Sequence, residues 1–260
     1  MEKTEPFNRS YQQISEELGR LTVGTLEVTL PHHGFWGKFA KGWEPDTEKI
    51  YRTHAGSGSR VLDIGAWIGP TILFAAASGA SRIDAFEPNP QSIESLQTLL
   101  QLNPSLKDIV TLFPNAVSNK NETLSMGLPE NESDTSMSGL SGNDFKVESL
   151  SFIDLLEQHQ RIDLLKVDIE GAEVLLSEGF KYLSKRTGQV VHLSLHKPFF
   201  PQGADLLAFI EALQNYQIED DRGTPLSHPE LSQRLLSDES HPEWGTQHGN
   251  FFELLLVAKG

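Results

Sequence analysis

The sequence predicts a doubly wound α/β domain, a largely parallel sheet with helices on both faces. Three observations point there. From Arg60 onward, short apolar runs alternate with turns and helical stretches, which is the rhythm of βαβ units. The first of these runs ends in a glycine turn, Asp63-Ile-Gly65-Ala66-Trp-Ile-Gly69, and the second ends in an acid, Glu87. At 260 residues the chain is long enough to bury one full core with an extension, so no second independent domain is required.

Residues 10–30 are mostly polar, and alternation over Gly24–Leu30 suggests one short strand with a buried face. Residues 31–39 are dense in aromatic residues and glycine, with His32 and His33 beside Phe35 and Trp36. Pro45 then opens a helix whose first turn carries Asp46 and Glu48, acids that suit the positive end of the helix dipole. We read residues 1–45 as an N-terminal extension or cap and 46–260 as the main domain. Strands are expected near 60–64, 82–87, 109–116, 163–167, 189–195 and 250–258. Helices are expected near 70–79, 90–102, 150–158, 171–183 and 203–215. Residues 126–144 are rich in turn formers, and 221–250 interrupt the last strand pair and carry Trp244 and three histidines. Long loops in a compact domain usually have a use, and a lid over a site is a frequent one.

Composition narrows the function. A formal charge of −15 is the opposite of what a phosphate-seeking surface needs, so nucleic acid is not an expected partner. With no cysteine there is no disulfide, thiolate metal site or cysteine nucleophile, and catalysis falls to carboxylates, histidine, hydroxyls or a bound cofactor. No uninterrupted apolar run near the N-terminus approaches the roughly 18 residues of a membrane span, and the expected location is the cytoplasm.

The glycine turn is the strongest single feature. Gly65, Ala66 and Gly69 let backbone approach a ligand closely after Asp63, and the N–H groups of the helix that follows favour an anionic group. The spacing lacks the three glycines that seat a dinucleotide pyrophosphate, which disfavours a nicotinamide oxidoreductase. Glu87, 24 residues after Asp63, ends the second strand, where a carboxylate can accept both hydroxyls of a ribose. Pro88 is a rigid apolar neighbour for a base, and Asn115 or the backbone of Ala116 could meet the edge of that base. Asp168 ends the fourth strand, where open α/β sheets place their ligands, and is the first choice for a catalytic or acceptor-orienting group. A plainer reading makes Asp168 or Glu170 a cap of the next helix, with Glu173 on its surface. Lys166 suits an ion pair. His196 ends the fifth strand, and its ordinary pKa near 6.5 suits a general base.

The run Val61–Gly69, the pair Glu87-Pro88, and above all Asp163-Leu-Leu-Lys-Val-Asp-Ile-Glu-Gly-Ala-Glu173 resemble the FkbM family of S-adenosylmethionine-dependent methyltransferases, over about residues 43–200. Val147–Leu156 resembles the stretch leading into the last motif. The resemblance implies a class I methyltransferase fold, a Rossmann-like seven-stranded mixed sheet with an antiparallel last strand. It also implies S-adenosylmethionine as cofactor, with S-adenosylhomocysteine as product, and O-methylation of hydroxyls on natural products or sugars. Members often carry an acid two positions before the strand-five histidine, where this chain has Ser194. The expected acceptor is a small molecule; a carboxyl acceptor on a small molecule or peptide, and a catalytically silent cofactor-binding module, are the alternatives. Some sugar methyltransferases use a divalent cation, and the sequence leaves open whether Asp168, Glu170 or Glu173 with His196 holds one. It leaves the oligomeric state open too.

Overall fold

Leu21, Val23, Val28 and Leu30 fall on alternate positions and all are buried, so the segment expected to hold one strand folds as a sheet of its own. The computed structural model describes residues 5–128, 142–220, 222–237 and 251–260. The chain divides into two units, Met1–Pro114 and Asn115–Gly260.

In the first unit, β1 (Arg9–Gln13), β2 (Leu18–Val23) and β3 (Leu26–Pro31) make an antiparallel three-stranded sheet. Two helices follow, α1 (Phe35–Ala40) and α2 (Pro45–His54). The aromatic stretch is core: Trp36 and Phe39 are buried, and Phe39 stacks on Phe74 with ring centroids 4.9 Å apart. Arg9 lies over both Phe39 and Phe74 and pairs with the buried Glu48 at 3.0 Å, while Arg52 pairs with the other oxygen of Glu48 at 3.1 Å. Glu48 is thus a doubly neutralised buried carboxylate as well as a helix-start charge.

The βαβ rhythm then appears as expected. β4 (Arg60–Ile64), α3 (Pro70–Ser78), β5 (Arg82–Phe86), α4 (Pro90–Leu102), α5 (Pro104–Lys107) and β6 (Val110–Phe113) follow in order, and β5 pairs in parallel with β4 and β6. Asn103 fastens α4 to the N-terminal sheet: its Oδ1 accepts the Thr29 N–H at 2.9 Å and its Nδ2 donates to the carbonyls of Thr29 and Leu99. The single strand expected over 109–116 is two, because Pro114 has no N–H to continue a ladder.

The second unit opens with β7 (Ala116–Ser118), β8 (Glu122–Met126) and β9 (Phe145–Ser151), a small sheet ordered β7-β9-β8 around Ala116, Met126 and Val147. Ser151 caps α6 (Phe152–Gln158). After β10 (Leu164–Val167), the helix expected over 171–183 is a 3-10 turn, Ala172–Leu176, leading into α7 (Ser177–Leu183). β11 (Val190–His196), a short 3-10 turn over Lys197–Phe199, α8 (Leu206–Ala212), β12 (Tyr216–Asp220), α9 (His228–Leu236) and β13 (Phe251–Ala258) complete the chain. α9 corrects the expectation of a loop over 221–250; Ser227 and Glu230 form a capping box around Pro229, a start signal passed over in the sequence. Residues 129–141, 221 and 238–250 of the two expected loops, Trp244 among them, lie outside the described residues.

The large sheet has seven strands in the order β12-β13-β11-β10-β4-β5-β6. β13 is antiparallel to both β11 and β12, and β10 is parallel to β11. This is the mixed, Rossmann-like class I sheet that the family resemblance implies. The reading from periodicity had placed six strands and missed β12. Among the described residues no helix is long and apolar enough to cross a membrane.

Candidate functional site

In the first unit, β4 delivers Asp63 to its carboxyl end, fully buried, where the Thr71 hydroxyl donates to Oδ2 at 2.7 Å. The turn that follows has three left-handed residues in five: Gly65 at φ 85°, Trp67 at φ 49° and Gly69 at φ 99°. Glycine takes this conformation at no steric cost, whereas Trp67 adopts it against preference. Gly65 and Ala66 both donate their N–H to the Phe86 carbonyl, at 2.9 and 3.0 Å, which ties the turn to the end of β5. Glu87 stands there, buried, with Oε2 accepting the Trp67 N–H at 2.8 Å and Oε1 accepting the Asn89 N–H at 2.8 Å. Pro88 is half-buried beside it. Gly65, Ala66, Trp67, Gly69 and Glu87 are therefore tied by hydrogen bonds into a cradle at the ends of β4 and β5, with Asp63 at the end of β4 and Pro88 next to Glu87.

Asn115 and Ala116 open the second unit. Asn115 Nδ2 donates to the Glu148 carbonyl at 3.2 Å, and Ala116 packs with Met126 and Val147.

The second unit carries its own polar group at the ends of β10 and β11. Lys166, nearly buried, pairs with Asp168 at 3.2 Å. His196 directs Nε2 toward Asp168 Oδ1 at 3.7 Å and Glu170 Oε2 at 3.9 Å, and Nδ1 toward Glu173 Oε1 at 3.3 Å. Glu173 is fully buried rather than on a helix surface, because Oε1 also accepts the N–H groups of Ile169 and Gly171 and so folds the 3-10 turn back onto itself. Gly171, at φ 98°, is irreplaceable locally: a Cβ there would lie 2.3 Å from the Phe199 carbonyl oxygen.

The charges in this group act on one another. Burial works against charge on Asp168, but Lys166 and His196 outweigh it and hold its carboxyl below the ordinary range. Burial, reinforced by Asp168 and Glu173, pushes Glu170 up to about 8. Burial would lower His196, yet its bond to Glu173 and the charges of Asp168 and Glu170 raise it to about 10. In the protein alone His196 is an imidazolium at neutral pH. That differs from the free-histidine value on which the general-base expectation rested.

The family departure at position 194 has a structural answer. Glu253 on β13 stands directly opposite Ser194 in the ladder, and its Oε2 takes the Ser194 hydroxyl at 2.7 Å and faces His192 Nε2 at 2.8 Å. A carboxylate is thus delivered to this position by a neighbouring strand.

The sequence matches the Methyltransferase FkbM domain over residues 63–218. The chain belongs to this methyltransferase family. Among solved structures it is similar to the methyltransferase FkbM of Methylobacillus flagellatus KT, at 17% identity and TM-score 0.46, covering 77% of this chain and 44% of that one. The chain therefore spans less than half the length of that relative. It is also similar to an O-methyltransferase of Bacillus cereus in complex with S-adenosylhomocysteine, at 11% identity and TM-score 0.46, covering 82% of this chain and 80% of that one. A third similar structure is an rRNA methylase of Streptococcus thermophilus, at 10% identity and TM-score 0.46, covering 82% of this chain and 95% of that one. No curated protein matches the chain.

S-adenosylmethionine is the cofactor of the FkbM family, and the cradle of the first unit fits it. Glu87 is an acceptor-only group fixed by two backbone N–H bonds, the chemistry a ribose diol requires. Gly69 and Pro70 begin α3, where no side chain among the described residues caps the first-turn N–H groups, which suits the cofactor's carboxylate. Sequence reasoning named the strand-end residues of this FkbM chain but not the groups that hold them. Thr71, Trp67 and Asn89 act through a hydroxyl or a backbone N–H, and Glu253 acts through strand register, none of which leaves a motif.

Proposed function

We propose that this FkbM protein transfers the methyl group of S-adenosylmethionine to a hydroxyl oxygen of a small molecule, with residues 46–260 as the methyltransferase domain and 1–45 as its extension. The observation that carries the reading is the acid–histidine group at the ends of β10 and β11, half-buried and presenting a carboxylate beside an imidazolium. When bound, S-adenosylmethionine would supply an electrophilic methyl group, the acceptor oxygen–carbon bond forming as the sulfur–carbon bond breaks, with S-adenosylhomocysteine as the leaving group. In the first unit Glu87 would hold the ribose and the start of α3 the carboxylate. In the second, Asp168 would accept the hydrogen bond of the acceptor hydroxyl and orient its lone pair. Alkylation makes that proton strongly acidic, so even the weakly basic Asp168 carboxylate can receive it. Much of the rate would come from alignment, with a modest share from the base. His196 would balance the charge of Asp168 and act as base itself only where the surrounding negative charge is offset.

The formal charge of −15 supports a small acceptor over RNA, whose backbone would be repelled. Methyl transfer from labelled S-adenosylmethionine into a small-molecule extract, ribosomal RNA and total protein tests this. We expect label in the small-molecule fraction that survives mild base, as an ether does. Base-released methanol would mean a carboxyl acceptor, and label confined to RNA would contradict the reading.

A further inference from the structure

We infer that Asp168, Glu173 and His196 form a site for a divalent cation of the Mn2+ and Mg2+ class, with Glu170 at its margin. Ligand atoms of the three residues lie within 4.8 Å of one another. Metal–ligand distances of about 2.1–2.2 Å place neighbouring ligand atoms about 3 Å apart and opposite ones about 4.4 Å apart. With one ligand atom counted from each residue, the 4.8 Å limit is close to that span, and His196 Nε2 stands 3.7 Å from Asp168 and 3.9 Å from Glu170 while Nδ1 faces Glu173. The donors come from the end of β10, a 3-10 turn and the end of β11, so each is placed by backbone that is itself held.

A second observation is independent of the clustering. Glu173 is fully buried and its carboxylate faces the His196 ring, yet Oε2 has no hydrogen-bond partner among the described residues. Oε2 of Glu170 is likewise buried without one. Leaving a buried carboxylate oxygen unserved costs more than a neutral hydrogen bond returns. His196 does not remove that cost, since its Nε2 is beyond hydrogen-bond distance of Asp168 and Glu170. A cation among these atoms would serve them together, taking the place of the proton on the ligating His196 nitrogen. Carboxylates with one imidazole, in a chain that has no cysteine, favour Mn2+ over Mg2+ and exclude a thiolate zinc site.

The site stands whether or not the acceptor is a hydroxyl. If it is, the cation would polarise that oxygen and make its proton easier to lose. To test it, chelator-treated protein is titrated with MnCl2 while the electron paramagnetic resonance signal of free Mn2+ is followed. The wild-type chain should take up one Mn2+ saturably, with weaker competition from Mg2+. Asp168→Asn and Glu173→Gln should each weaken uptake at least about tenfold. Circular dichroism verifies folding; Asp168→Asn, isosteric and partly exposed, decides the matter if Glu173→Gln fails to fold. A folded wild-type protein that takes up no Mn2+ at millimolar concentration, or an Asp168→Asn protein that binds it as wild type does, overturns the inference. Calorimetry with S-adenosylhomocysteine on the same samples keeps that failure separate from failure of the cofactor site.

Discussion

Glu87 holds the cradle as well as offering itself to a ligand, because both its oxygens fix backbone N–H groups of the segments on either side. Glu87→Gln keeps the shape but turns one end into a donor facing a donor. It should lower stability by about 1–2 kcal/mol in urea unfolding and weaken S-adenosylhomocysteine by roughly tenfold or more. His196 gives a pH signature. Its folded pKa of about 10 lies above the unfolded value of 6.5, so its contribution to stability is complete below pH 6.5 and is lost as pH rises toward 10. Glu170, raised from 4.5 to about 8, also makes stability fall as pH rises through that interval. Chelated protein should therefore show a urea midpoint that falls between pH 6.5 and 9.5, and His196→Gln should flatten much of that slope; a midpoint unchanged over this range would show that the ring is not held as an imidazolium. Asp63, Glu87, Asp168 and His196 were legible because a polar residue closing an apolar run marks the end of a strand. Glu173 was not, since sequence spacing alone could not tell a surface acid from one folded back to bind Ile169, Gly171 and His196.

Elements were legible where the period was clean and hidden where a single side chain overrode it. α3, α4, β4, β5 and β11 follow from apolar runs between strong turn residues. The strand across Pro114 broke, and the first part of the helix expected over 171–183 became a 3-10 turn while Ser177–Leu183 stayed α-helical, because the missing N–H in one case and the Glu173 carboxylate in the other reassign backbone hydrogen bonds. Of the N-terminal sheet only β3 showed in the alternation; β1 and β2 escaped notice because their buried residues are few and the sheet's ties are polar. Asn103 is the clearest of those ties, and Asn103→Ala should cost about 2–3 kcal/mol by leaving the Thr29 N–H and two carbonyls without their partner. Ser227→Ala, which removes one half of the α9 capping box, should cost about 1 kcal/mol. Loss at Ser227 as large as at Asn103 would contradict this ranking of buried tie over exposed cap.

For the whole molecule, the strand order and the match to the FkbM domain fix the methyltransferase class, while the acceptor depends on the surface and on the acid–histidine group. The strong negative charge makes a steeply salt-dependent attraction to nucleic acid unexpected. Cofactor binding is the property on which the account depends most. S-adenosylhomocysteine should raise the melting temperature in proportion to the logarithm of its concentration above Kd, since it binds only the folded chain. The measurement to make is calorimetric titration of S-adenosylhomocysteine into the purified full chain and into Glu87→Ala. Saturable binding of one molecule per chain, weakened at least about tenfold in a folded Glu87→Ala protein, is what the cradle at β4 and β5 predicts. A folded wild-type protein that binds none, or a Glu87→Ala protein that binds as tightly as wild type, would contradict it.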